Sequence, residues 1–284
     1  MSREPIFCEV AAPREHKGSK FSREAIWLTW SKSFRAFVAE LESAGELNRR
    51  VTMKNIRGCA PYSTTYHPDK DPRKATYWPL LLDFAKSLDD WRISDKMILF
   101  RDMFPAALDS RKMRVLFSLL RVAVTEIYGD QRASLSAPVT PERKDLGFPL
   151  HADLFLSSKL WLIFDDVPDD KSGASLFMSR QNLLHLLKKQ PKFPVSALKD
   201  VRQLMCGKVS RDSFDKLFRI LHGGANEWSD ELSLSLQKAA MKIRLRRGEG
   251  YLMDDRRWLH GRDAATRPVA AWRFHRLTFG PIEI

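Results

Sequence analysis

In the segment Phe148-Pro149-Leu150-His151-Ala152-Asp153-Leu154-Phe155-Leu156, the His151-x-Asp153 pair is the part of this chain best suited to holding a metal. Side chains two apart in a β-strand share a face. An imidazole and a carboxylate would therefore project together here, while Leu150, Ala152 and Leu154 point the other way. Such a pair is half of a metal site. A second imidazole from a distant strand would complete a two-His-one-carboxylate facial triad, which leaves positions open on a non-haem Fe(II) for substrate and O2. His260 is the strongest candidate. It follows the apolar run Tyr251-Leu252-Met253 and a polar turn, and it opens a His260-Gly261-Arg262 segment. His67, two residues before Asp69, has similar spacing but sits in a Pro-rich loop and reads as a solvated side chain.

Three further stretches follow His151-x-Asp153 in a fixed order. Asp170-Lys171-Ser172-Gly173-Ala174-Ser175 leads into a short apolar run, Asp255-Arg256-Arg257-Trp258-Leu259-His260-Gly261-Arg262 surrounds the second His, and Trp272-Arg273-Phe274-His275-Arg276-Leu277 lies near the end. Taken together, the four resemble the Fe(II)/2-oxoglutarate-dependent oxygenases of the taurine dioxygenase and clavaminate synthase-like group. That family has a Gly-Gly-x-Thr segment, an Asn-Arg-Arg-x-x-His-Gly-Arg segment and a closing strand that carries an Arg.

The resemblance implies His151, Asp153 and His260 as metal ligands and catalytic centre, with Fe(II), 2-oxoglutarate and O2 as cofactor and cosubstrates. It implies Ser175 as a hydroxyl contact to 2-oxoglutarate, in the place of the family's Thr. For the cosubstrate's distal carboxylate it implies Arg273 first and Arg276 second, since a guanidinium fork matches a carboxylate better than an ammonium does. Arg273 and Arg276 are three apart and would face opposite ways in a regular strand, whereas the family often has two Arg four apart. Either a bulge restores the geometry or only one points inward. Halogenating members replace the carboxylate with a small residue. Asp153 thus favours hydroxylation, desaturation or ring formation, with release of succinate and CO2. Trp258 and Arg262 flank the site in roles the sequence leaves open.

Composition bounds the remaining choices. Hydrophobic residues make up 44% and charged residues 29% of 284, values of an ordinary globular protein long enough to bury a large core. No apolar run reaches membrane-spanning length, and Met1 to Lys20 carries no signal-peptide core, so the expectation is a cytoplasmic protein without membrane partners. Cys8, Cys59 and Cys206 are too few and too far apart for a disulfide framework or a Cys-based zinc site. The 48 Lys and Arg against 35 Asp and Glu give a net charge of +13, which attracts anionic ligands, nucleic acid or an acidic carrier protein, and which suits the small anionic or amino-acid-like substrates that the resemblance implies. No basic-aromatic module supports a nucleic-acid partner. Two competing readings remain: a basic binding protein whose barrel does not turn over, and a cupin-like metal enzyme without 2-oxoglutarate.

The resemblance sets the fold expectation: mixed α and β, with a double-stranded β-helix (jelly-roll) core, an N-terminal helical region and a helical insert within the barrel. Residues 1–22 read as an irregular arm and 23–284 as a single domain. Within it, 23–130 is mainly helical, 131–179 and 241–284 form the core, and 180–240 is the insert or lid. Apolar spacing predicts helices over Arg23–Leu47, Tyr77–Leu88, Lys96–Met103 and Ser110–Tyr128, and four more in the insert: Asn182–Lys189, Val195–Leu204, Ser213–Leu221 and Ser229–Ala240. Residues 48–75 read as turns. Strands are expected at Ala133–Ala137, around His151, at Lys159–Phe164, Ala174–Met178, Met241–Arg246 and Tyr251–Met253, and over Val269–Phe279.

Overall fold

A computed structural model describes residues 8–10, 25–55, 64–90, 96–102, 108–128, 134–136, 147–153, 159–167, 172–206, 212–223, 229–264 and 273–279. The rest of the expected arm and Leu154 lie outside them.

Seven strands form one sheet: β1 (Cys8–Val10), β2 (Ala25–Trp30), β5 (Met97–Arg101), β11 (Gly250–Asp254), β8 (Lys159–Asp166), β13 (Arg273–Phe279) and β6 (Ser134–Ser136), in that spatial order. Every pairing is antiparallel except β2 with β5. Four strands form a second sheet, β10 (Met241–Ile243), β9 (Ser175–Ser179), β12 (Trp258–Arg262) and β7 (Phe148–His151). A hairpin of β3 (Val51–Asn55) and β4 (Thr64–Pro68) stands apart. Helices α1 (Lys32–Ser43), α2 (Trp78–Asp90) and α3 (Ser110–Tyr128) precede most of the strands. Helices α4 (Arg180–Lys189), α5 (Val195–Cys206), α6 (Ser213–His222) and α7 (Ser229–Ala239) interrupt the second sheet between β9 and β10.

The apolar side chains sort these elements into four layers. Along β8, Trp161 and Ile163 pack with Phe34, Phe84 and Phe117 of α1, α2 and α3, while Leu160, Leu162 and Phe164 face Phe177, Met241 and Trp258 of the second sheet. On the far side of that sheet, Leu150, Leu176, Met178 and Leu259 meet Leu183, Val201, Leu217 and Leu236 of α4 to α7. Both sheets are thus apolar on both faces, which is why β8 reads as a nearly continuous hydrophobic run rather than an alternation.

Several expectations need correction. The Arg23–Leu47 helix is a strand, β2, followed by a shorter helix, α1. Ala25 to Trp30 is rich in aromatic and β-branched residues and pairs in parallel with β5, and Ser31 then caps α1 by accepting the Phe34 N–H at 3.2 Å. Gly45 holds φ 73°, the left-handed conformation that only glycine adopts without strain, just past the last turn. The Lys96–Met103 helix is the strand β5, whose side chains Met97 to Phe100 are all buried; an apolar run of that length fits either element, and sheet pairing decides. Residues 48–75 contain the β3–β4 hairpin as well as turns, and part of the expected arm, Cys8–Val10, pairs along β2. The four insert helices, α2 and α3 lie within two residues of the predicted bounds.

A buried polar cluster fastens the start of α3 to the large sheet. Ser110 Oγ donates to Asp165 Oδ1 at 2.7 Å, His275 Nε2 lies 3.4 Å from Asp165 Oδ2, and Arg247 Nη2 lies 3.8 Å from Oδ1. Asp165 is buried, so removing its carboxylate takes away the acceptor that faces Ser110 and the buried His275, and Asp165→Ala is expected to lower the urea unfolding free energy by about 3 kcal/mol. A change under about 1 kcal/mol would mean that the cluster does not hold α3.

Candidate active site

The second sheet aligns the metal-ligand candidates. His260 on β12 pairs directly with His151 at the end of β7, and on its other side with Phe177 of β9, so the two imidazoles occupy one row of the face turned toward the large sheet. Their ring centroids are 4.1 Å apart. Asp153, two residues past His151, returns to the same face, with Oδ1 3.6 Å from His151 Nε2. Ligand atoms of His151, Asp153 and His260 all lie within 4.8 Å of one another. Leu150 and Ala152 point into the helical layer, as the alternation predicts.

Gly261 makes this convergence possible. A Cβ there would lie 2.7 Å from the Phe148 carbonyl oxygen and 3.1 Å from the Leu150 nitrogen, so β7 comes as close to β12 as backbone atoms allow. The register between the two strands shifts between His260 and Arg262, beside this contact.

Burial and hydrogen bonding set the imidazoles up as donors of lone pairs. His151 Nδ1–H donates to the Pro149 carbonyl at 2.9 Å. A carbonyl only accepts, so the proton resides on Nδ1 and Nε2 is left to bind a metal. His260 Nδ1 lies 3.8 Å from the buried Asp255 Oδ1, beyond hydrogen-bond distance. Burial lowers the pKa of His151, against smaller raising effects from Asp153 and the Pro149 carbonyl. Burial and the neighbouring His151 bring His260 down to about 3. Burial pushes Asp153 up, but Arg276 and the two imidazoles together outweigh it, and its net direction is down. Two neutral imidazoles and one ionised carboxylate form a donor set that fits a divalent metal with open positions.

The triad opens into a cavity of about 280 Å³. Its walls are Leu162, Phe164, Tyr251 and Phe274 from the large sheet and Phe214 from α6, with Ser175, Arg262 and Arg276 supplying polar groups. Burial, followed by the Asp153 charge, raises the Tyr251 hydroxyl well above the usual phenol range, so it stays protonated. Ser175 is buried and pairs across the strands with Arg262.

Of the two closing arginines, Arg276 reaches the cavity. Its Nη1 donates to Asp153 Oδ2 at 3.2 Å, and its backbone pairs with Leu162, a cavity wall. The backbone of Arg273 pairs with Asp166, and the register along β13 shifts between Arg273 and Phe274; the Arg273 side chain lies outside the described residues. Trp258 packs in the core between the sheets.

Sequence reasoning did not single out Tyr251, Phe214, Phe274 or Asp255. Tyr251 was visible only as part of a strand, and α6 carries Phe214 at a helical spacing shared with ordinary core positions. Asp255 had a signal, since it stands where the resembled family has Asn.

No family model and no curated protein matches the sequence. Solved structures do match. Asparagine oxygenase in complex with Fe(II), 2S,3S-3-hydroxyasparagine and succinate superposes with a TM-score of 0.50 at 14% identity, covering 89% of this chain and 93% of that one. A second structure of asparagine oxygenase (AsnO) gives a TM-score of 0.50 at 16% identity over 92% and 94%. The chain has the fold of this oxygenase. The likeness read from four short motifs is thus a likeness of architecture along nearly the whole chain.

Two outcomes test this geometry. Gly261→Ala must push β7 away from β12, and is expected to weaken Mn(II) binding by about 10- to 100-fold in calorimetric titration; unchanged affinity would show that the close approach does not hold the ligands together. The second concerns pH. A histidine whose folded pKa is depressed binds its proton more readily in the unfolded state, so its stability contribution is full above about pH 6.5 and is lost as pH falls toward the folded value, about 3 for His260. The metal-free protein should lose stability to urea below about pH 6.5, by up to roughly 1.4 kcal/mol per pH unit for one imidazole, and the slope should flatten in His260→Gln.

Proposed function

We propose that this chain is an Fe(II)- and 2-oxoglutarate-dependent dioxygenase that hydroxylates, desaturates or cyclises an unactivated C–H position of a small anionic or amino-acid-like metabolite, releasing succinate and CO2. The observation that carries the reading is the convergence of His151, Asp153 and His260 within 4.8 Å, at a cavity that also holds Arg276. The likeness to asparagine oxygenase, which has been solved with Fe(II), a hydroxylated amino acid and succinate, supports it. The two facing sheets are read as the jelly-roll core, and α4 to α7 as the insert that closes over it.

His151, Asp153 and His260 would hold Fe(II) on one face. When bound, iron and 2-oxoglutarate supply the oxidative decarboxylation and the oxidant for the C–H bond. The chain's own contribution is positional. The Pro149 carbonyl keeps the proton on His151 Nδ1, so Nε2 stays a donor to the metal. Arg276 is the cation for the cosubstrate's distal carboxylate, in preference to Arg273, because it lines the cavity. Ser175 offers a hydroxyl donor to the same cosubstrate. Tyr251, protonated, adds no second negative charge beside Asp153. Phe164, Phe214 and Phe274 keep water from the reacting carbon and confine a substrate to few orientations. No helix among the described residues is long and apolar enough to cross a membrane, and we place the protein in the cytoplasm.

The test is anaerobic addition of Fe(II) and 2-oxoglutarate to the metal-free protein, followed by the weak visible charge-transfer band of the chelate. The band is expected in the wild type and absent in His260→Ala. Arg276→Ala is expected to keep metal binding while weakening 2-oxoglutarate by at least about 30-fold, the cost of about 2 kcal/mol for a lost charged partner. A folded wild type that gives no band would refute the oxygenase assignment and favour a binding protein; a band indifferent to Arg276→Ala would return the carboxylate role to Arg273.

A further inference from the structure

Among the described residues, Phe148 is the one phenylalanine that folding leaves in water, 46% exposed. It stands on β7, the edge strand of the small sheet, where Pro149 has no N–H to offer a further strand. A second cavity, of about 190 Å³, lies between this edge and helices α6 and α7, and Phe148 and Arg262 belong to the walls of both cavities. The exposed ring therefore sits at the mouth of the triad cavity. A bulge has brought it there. β7 takes three steps from Phe148 to His151 while β12 takes two from Arg262 to His260, so two positions that a regular strand would send to opposite faces share one. The Phe148 and His151 ring centroids lie 4.4 Å apart, with their planes at 89°.

Much of the remaining wall is aromatic as well. Phe214, half-buried on α6, meets the same imidazole at 5.9 Å and 85°. On the large sheet, Phe274 and Phe164 are strand partners with their rings 6.1 Å apart at 68°. Tyr251, protonated, adds a ring 6.3 Å from that of His260. Phe274 precedes Arg276 by two residues on the same face of β13, so it stands about 7 Å along the sheet from the residue assigned to the cosubstrate. Core packing accounts for a buried ring. It does not account for Phe148, whose apolar surface a ligand would cover. An aromatic ligand suits such walls, because the ring quadrupole favours edge-to-face and offset contacts, with centroids about 4.5 to 7 Å apart, that a saturated ring of equal size cannot make.

We propose that the substrate is an amino-acid-like metabolite carrying an aromatic ring, and that this ring seats against Phe148 and Phe214 beside His151. The inference rests on the oxygenase reading and adds to it the class of side chain that the site selects. With 2-oxoglutarate held through Arg276, the substrate ring closes the cavity mouth and covers the face of Phe148 that is left in water. A saturated ring fills the same space without the edge-to-face contacts, and a linear chain loses the fit as well. Phe148 and Phe214 are thus the residues that determine specificity.

The probes are 3-phenylpropanamide, 3-cyclohexylpropanamide and hexanamide, neutral ligands that end in an aromatic ring, a saturated ring and a chain. They are titrated calorimetrically into protein loaded anaerobically with Fe(II) and 2-oxoglutarate, with the charge-transfer band recorded throughout. The wild type is expected to bind the phenyl probe at least about 3-fold tighter than either of the others, the effect of two modest edge-to-face pairs. Phe148→Leu keeps an apolar side chain and removes the ring, so the band should persist and at least half of the preference should be lost. No measurable binding of the phenyl probe, a smaller preference in the wild type, or a preference that Phe148→Leu lowers by less than half would each overturn the proposal while leaving the band, and with it the oxygenase reading, intact. Absence of the band in the wild type would instead remove the reading on which the proposal rests. Should Phe148→Leu not hold the band, Phe214→Leu takes its place under the same criterion.

Discussion

Three groups that each prefer water are held together between two apolar sheets, and the contact that makes this possible is the approach of β7 to β12 at Gly261. Without a side chain at that position, the Phe148 carbonyl oxygen can lie 2.7 Å from where a Cβ would stand, and His151 comes opposite His260. Every other element acts on this row indirectly. The large sheet supplies the opposing wall, and α4 to α7 press on the back of β7, β9 and β12 through Leu150, Leu176, Met178 and Leu259. A site of this kind costs folding free energy, because burial disfavours protonated imidazole and ionised carboxylate alike. Neutral histidines and the Arg276 charge beside Asp153 are how the chain meets that cost without a metal.

Alternation along the strands converts this constraint into a division of labour. On β13, His275 turns toward α3 and joins Asp165 and Ser110, whereas Phe274 and Arg276 turn toward the cavity. On β12, Leu259 enters the helical layer while Trp258, His260 and Arg262 face the large sheet or the cavity. One strand therefore carries a structural polar cluster on one side and site chemistry on the other, and a one-residue slip of β13 against β8 would exchange the two. The Asp165 cluster, buried and specific in its partners, opposes such a slip. Its position on the face of the large sheet turned toward α3, away from the cavity, is consistent with a role in register rather than in chemistry.

Much of this was legible from residue types and spacing. The His-x-Asp period of two and the distant His260 depend on local patterns, and local patterns survive folding. Helices α2 to α7 were legible because an amphipathic face over ten or more residues has no good alternative. The errors fell where pattern was ambiguous: Ala25 to Trp30 and Met97 to Arg101 are short apolar runs, and each became a strand because the other was there to pair with. No property of either segment alone carries that information. Phe214 was not singled out for a different reason, since its importance lies in which ring it approaches across the fold, His151 at 5.9 Å.

The choice between Arg273 and Arg276 shows how far spacing can lead. The resemblance ranks Arg273 before Arg276, and which face of β13 a residue occupies depends on how that strand is paired with β8, where Phe274 lies opposite Phe164 and Arg276 opposite Leu162, both cavity walls. Distance along the chain is a weak proxy for position across a sheet whenever a register shift intervenes, and here one falls between Arg273 and Phe274. The consequence extends to charge. With Arg276 beside Asp153 and Arg262 at the junction of two cavities, the positive groups stand on opposite sheets with the triad between them.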